Sequence, residues 1–148
     1  MTTRQSLIGI LAVYFLSTAL YADKLNDREL FGTTAANSFS AALKRADQSK
    51  KRLFLIYWDS KEKGNYPGLE IRYFCELKET KKLLRDNFVI VLLDQNNPDA
   101  VKYHPKGNVE KAQWVLINPD GTVVQQAEVY GNPKVGLETV QKLVQLPK

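Results

Sequence analysis

The chain has 148 residues, 44% apolar and 25% charged, with a formal net charge of +5. This length allows one domain with one substantial core and not two, and the apolar content excludes a disordered polyelectrolyte. A single cysteine, Cys75, excludes an intramolecular disulfide, and a single histidine, His104, without other His or Cys at ligand spacing, gives no reason to expect a metal or any other cofactor.

Residues 1–22 differ from the rest. One charge, Arg4, precedes the uncharged run Leu7–Leu20 (LIGILAVYFLSTAL), and Leu20-Tyr21-Ala22 ends on a small residue. The run is short of the roughly 20 residues of a membrane span but fits the core of a signal peptide. It predicts cleavage after Ala22 and export to the periplasm or the medium of a bacterial cell. Membrane contact is expected only through this segment, if it stays uncleaved. Residues 23–37 show little periodicity and read as an irregular leader into a domain over 38–148.

The domain opens with a predicted helix over Phe39–Gln48, capped by Ser38 or Asn37. Phe39, Ala42, Leu43 and Ala46 share one face. Arg52–Trp58 (RLFLIYW) is a nearly continuous apolar run of strand length. Asp59–Gly68 carries Asp, Ser, Asn, Pro and two Gly, and reads as a loop. Leu69–Leu77 is predicted helical, with Leu69, Tyr73 and Leu77 in line and Phe74 beside them. A second helix over Lys78–Asp86 turns Leu83 and Leu84 inward. Phe88–Leu93 (FVIVLL) is a second buried strand ending at Asp94, and Gln95–Gly107 is a long polar loop. Gln113–Ile117 and Thr122–Val129 flank Asn118-Pro119-Asp120-Gly121, a hairpin turn in which Pro presets φ, Asp accepts a local bond and Gly allows positive φ. Pro133 suits the first turn of a last helix to about Leu146, with Leu137, Val140, Leu143 and Val144 on its apolar face. Two apolar strands joined through helices imply parallel pairing, and a hairpin and closing helix complete an α/β sandwich: a central four-stranded mixed sheet flanked by helices.

RLFLIYW, LLRDNFVIVLLD (Leu83–Asp94) and WVLINPDGTVV (Trp114–Val124), in this order and spacing, resemble the thioredoxin-like superfamily, in particular its exported members. The chain is also similar to degenerate relatives such as the anterior-gradient proteins. The resemblance implies a thioredoxin-like fold over about Phe39–Leu146, and it implies a redox site that this sequence lacks. Members carry Cys just after the residue equivalent to Trp58; here the window is Asp59-Ser60-Lys61-Glu62. The loop before the following helix is longer here by about five residues around Lys63–Gly68. Members place a cis-proline before the third strand, where this chain has Ala112, and a cis X-Ala bond is far costlier than a cis X-Pro bond.

Without the dithiol, the expected site is a binding surface made of Trp58, Asp59, Ser60 and Tyr66 together with Ala112, Gln113 and Trp114. In redox-active relatives this sheet edge grips an extended peptide, so the expected partner is a protein or extended polypeptide. The bland alternative makes Tyr57 and Trp114 core and Trp58 a cover for the loop. Cys75, near a helix end with Glu76 behind it, reads as a small buried hydrophobe. The alternative function is a one-cysteine thiol–disulfide exchanger or isomerase accessory working through Cys75. Asp59, Glu62 and Glu70 read as surface charges, and His104-Pro105 as an exposed loop pair. The basic runs Lys50-Lys51-Arg52 and Lys81-Lys82 lack interleaved aromatic residues, so no nucleic-acid site is expected.

Overall fold

The computed structural model describes residues 25–36, 38–62, 64, 66–104 and 109–148. The segment expected to be a signal peptide lies outside the described residues, as does Pro105.

The two apolar runs form β1 (Arg52–Trp58) and β2 (Phe88–Asp94), which pair in parallel from Arg52 opposite Phe88 to Trp58 opposite Asp94. Of the hairpin strands, β3 (Gln113–Ile117) adds antiparallel to β1 and β4 (Val123–Glu128) antiparallel to β3, giving a four-stranded mixed sheet in the order β2-β1-β3-β4. Period-2 alternation sorts the strand side chains into two cores. Phe54, Ile56, Ile90, Trp114 and Leu116 face one side; Leu53, Leu55, Tyr57, Val91, Leu93, Val115 and Ile117 face the other. The hairpin turn closes as its residues dictate. Gly121 has φ +89°, its N–H donates to the Asn118 carbonyl at 2.9 Å, and Asp120 Oδ1 accepts from the Thr122 N–H at 2.9 Å.

The leader is not irregular. Asn26 caps a short helix, α1 (Asp27–Phe31), by accepting from Arg28 N, and Gly32 ends it at φ +68°. The chain then runs beside β2, where Ala36 N donates to Ile90 O at 2.9 Å. Only Leu30 and Phe31 of this helix are buried, too few to make a periodic pattern. The next helix, α2 (Phe39–Ser49), is capped by Ser38 and buries Phe39, Ala42 and Ala46 over the second face, as the spacing predicts.

The helix after β1 departs from expectation. It runs as α3 (Tyr66–Phe74), three residues earlier at both ends than the predicted Leu69–Leu77. Pro67 is the reason for the early start, since a proline in the first turn loses no hydrogen bond and presets φ. Two apolar stripes compete for the inner face of α3. Pro67, Ile71 and Phe74 win it, and Leu69, Tyr73 and, just beyond the helix, Leu77 are left 41%, 50% and 37% exposed.

The next helix, α4 (Lys78–Asn87), buries Leu84 as expected and also Thr80. Thr80 is fully buried and its hydroxyl has no hydrogen-bond partner among the described residues. A buried unsatisfied hydroxyl costs about 1–3 kcal/mol. Thr80→Val, close in shape, is therefore expected to stabilise the fold by about 1 kcal/mol, read as a rise in the urea midpoint at unchanged slope.

The polar segment after β2 was expected to be all loop. It holds one helical turn, α5 (Pro98–Val101), because Asn97 caps it through the Asp99 N–H and Pro98 takes the first position. The last helix, α6 (Pro133–Val144), has Asn132 as its cap and Val140 and Leu143 as buried anchors. It sits on the first face with α1, α3 and α4. Gly136 is the contact point between α6 and α3: a Cβ there would land on the Phe74 carbonyl oxygen and 2.9 Å from its carbon.

Candidate functional site

Parallel β1 and β2 end together at Trp58 and Asp94, and Tyr57 pairs with Gln113 at the start of β3. This register brings the ends of β1 and β2 and the start of β3 together at one edge of the sheet. Asp94, which the sequence marked only as a strand end, clamps that edge. Its Oδ2 accepts from the Ser60 N–H at 3.1 Å and from the Ser60 hydroxyl, and its Oδ1 accepts from the Asn96 N–H at 2.8 Å. Burial works to raise the Asp94 carboxyl, but these hydrogen bonds outweigh it and hold the group below the usual carboxylate range. The Gln95 N–H donates to the Trp58 carbonyl at 2.8 Å, which ties the two loops again.

The predicted site residues divide into surface and core. Tyr66 opens α3 and is 59% exposed. Trp58 is half-buried and packs against the first core, as a cover for the loop. Asp59 is half-buried, and its Oδ1 accepts from the Lys61 N–H at 2.9 Å, so it caps a turn within the loop and not the helix. Ser60 is exposed, but its hydroxyl and N–H are spent on Asp94. Gln113 is half-buried in the sheet. The side chains of Ala112 and Trp114 do not reach the surface: Ala112 is fully buried, with its carbonyl accepting from Val129 N at 2.8 Å, and Trp114 stacks on Phe54 with ring centroids 5.9 Å apart. Trp114 points inward because it alternates with Gln113 and Val115 and falls on the first face, where its ring has aromatic partners. This segment can offer a ligand only backbone groups and Gln113. Among the described residues every peptide bond is trans, that of Ala112 included.

Cys75 follows α3 and is fully buried. Burial pushes its thiol up to about 12, opposed only weakly by Lys81. A thiol in this state is almost wholly protonated at neutral pH and inert. The head of α3, where the helix terminus would lower a thiol's pKa, holds Tyr66, Pro67 and Gly68.

Glu70 is more than the plain surface charge that the sequence indicated. Its Oε2 is buried without a hydrogen-bond partner among the described residues. Burial raises its carboxyl above the usual range, Lys111 opposes the shift, and Glu128 and Glu62 add to it. Lys111 meets Glu128 at 3.6 Å and lies over the exposed Tyr130 ring at 5.9 Å. Gly131 leaves the room: a Cβ there would stand 3.0 Å from Glu70 Cα. The same edge carries a pocket of about 320 Å³ lined by Tyr57, His104, Lys111, Gln113 and Glu128 among others. His104 is not an exposed loop residue. Its Nε2 is 2.8 Å from the Gln95 carbonyl and its ring packs on Tyr57. Glu70 was visible in the sequence, but no periodicity or motif foretells that Lys111, Glu128, Tyr130 and Gly131 converge on it.

Among the described residues no group of His, Cys, Asp and Glu could hold a metal ion, and no helix is long and apolar enough to cross a membrane. No protein-family model and no curated protein matches the chain. Solved structures do. One, described as a candidate disulphide isomerase from Bacteroides thetaiotaomicron, is 23% identical with a TM-score of 0.58, over 75% of this chain and 91% of that one. A disulphide isomerase from Xylella fastidiosa Temecula1 is 14% identical with a TM-score of 0.56, over 76% and 95%. A DsbH oxidoreductase is 15% identical with a TM-score of 0.57, over 88% and 99%. With these neighbours, the sheet order and the helices on both faces, the chain has the thioredoxin-like fold.

Proposed function

We propose that this chain is an exported binding module that holds an extended polypeptide at the sheet edge, without dithiol chemistry. The observation that carries the reading is the content of the α3 head. An exposed Tyr66 stands where a reactive thiol would gain its low pKa, and the chain's one cysteine is buried past the other end of the helix. Leu69 and Tyr73, three and seven residues further along α3, are exposed as well, as is Tyr130. Aromatic side chains beside a fixed backbone edge suit an extended guest, which bonds through its main chain and is selected by its side chains. Two of the structural neighbours are named disulphide isomerases and one an oxidoreductase; this chain would bind without the exchange.

Titration of the full chain with a reduced, fully alkylated unfolded polypeptide tests this. Saturable binding is expected. Tyr66→Ser should weaken it at least about fivefold, the effect of removing an aromatic contact worth about 1 kcal/mol. Cys75→Ala should leave it unchanged. Absence of saturable binding, or binding indifferent to Tyr66→Ser, would contradict the reading. Capture only of an unblocked thiol polypeptide, lost in Cys75→Ala, would return the function to thiol exchange.

A further inference from the structure

A cleft of about 420 Å³ lies at the other end of the strands, away from the edge described above. Its apolar floor is Phe88, Val89 and Ile90 at the start of β2. Its walls come from separate parts of the chain: Thr33 and Thr34 from the segment after α1, Arg45 and Ser49 from α2, Lys51 before β1, and Arg85 from α4. Among the described residues three cations line the cleft and no carboxylate does. Elsewhere lysines stand against acids, as in Lys50–Asp47, Lys82–Asp86, Lys102–Asp99, Lys111–Glu128 and Lys134–Glu138. Among the described residues Arg45 and Lys51 make no ion pair, and Arg85 meets Asp86 through its Nε, at 3.2 Å. Gly32 permits the Arg85 placement: a Cβ there would stand 3.0 Å from Arg85 Nη1.

We propose that this cleft binds a phosphate-bearing anion. Like charges brought together around a low-dielectric floor repel one another and focus a positive potential, which an anion offsets. Two guanidinium forks match the oxygens of a phosphate group, and the Thr33 and Thr34 hydroxyls add neutral donors; the Ser49 hydroxyl donates to the Arg45 carbonyl at 2.7 Å. The volume exceeds that of one phosphate, so the ligand is a larger molecule carrying it, either a soluble phosphate ester or a phospholipid headgroup.

The test titrates the full chain with pyrophosphate by calorimetry and, separately, with vesicles containing phosphatidylglycerol by co-sedimentation. Arg45→Gln and Arg85→Gln are each expected to weaken binding about tenfold, the scale of one charge-assisted hydrogen bond. Lys134→Gln removes the same charge from a distant ion pair and should change it little. Pyrophosphate binding supports a soluble ligand; vesicle binding alone supports a headgroup. Failure of both probes overturns the proposal. So does an equal loss in Lys134→Gln, which would reduce the effect to net charge.

Discussion

Gly136→Ala should destabilise the protein by about 3 kcal/mol, at the upper end of the cost of overfilling a packed contact. The added methyl would collide with the Phe74 backbone, which cannot swing aside as a flexible side chain would. Either α6 lifts from α3 or α3 shifts on the sheet, and Val140, Leu143, Ile71 and Phe74 lose contacts in the same core. Urea unfolding followed by circular dichroism measures the loss. A cost under about 0.5 kcal/mol, ordinary for an unconstrained surface substitution, would mean that the helices do not meet at this point. A glycine inside a helix costs about 1 kcal/mol relative to alanine, so its place in α6 already marks a position where close approach outweighs propensity.

Trp114→Ala is expected to cost 3–5 kcal/mol, the range for removing a large buried aromatic side chain. Phe54 stacks with Trp114 and with Phe74, and meets Phe88 at 6.0 Å, so these rings join β3, β1, β2 and α3. Trp114 is 3% exposed, and the loss would fall on stability before it touched any ligand. Thermal unfolding checks this, and Trp114→Phe should recover much of the loss by keeping a ring against Phe54. A Trp114→Ala protein with unchanged stability would place Trp114 at the surface. Tyr66, exposed at the head of α3, is the residue whose truncation reports on binding with little effect on folding.

The sheet was readable from the sequence because its signals are local. Continuous apolar runs of strand length, a Pro-Asp-Gly turn and the capping Ser38 each determine their own neighbourhood. The inner face of α3 was not readable, since the segment carries two apolar stripes and only tertiary contact with α6 chooses between them. The short helix α1 was missed because it rests on its caps, Asn26 and Gly32, more than on periodicity. At the site, topology alone brings the end of β1 to the start of β3, whereas the direction of the Trp114 side chain depends on strand register, which a shift of one residue would reverse. The Asp94 clamp and the Glu70–Lys111–Glu128 group join residues far apart in the chain. No spacing rule reaches across the fold to find them.

Thiol labelling of the full chain across pH, beside an unfolded control, tests the central claim most directly: a thioredoxin-like fold whose binding edge works without a thiol. The buried Cys75, with its pKa raised to about 12, should label in the native state only as fast as the protein opens, and readily once unfolded. Native labelling as fast as the unfolded control, with a midpoint below the ordinary cysteine value of about 8.5, would show an accessible thiolate and contradict the account.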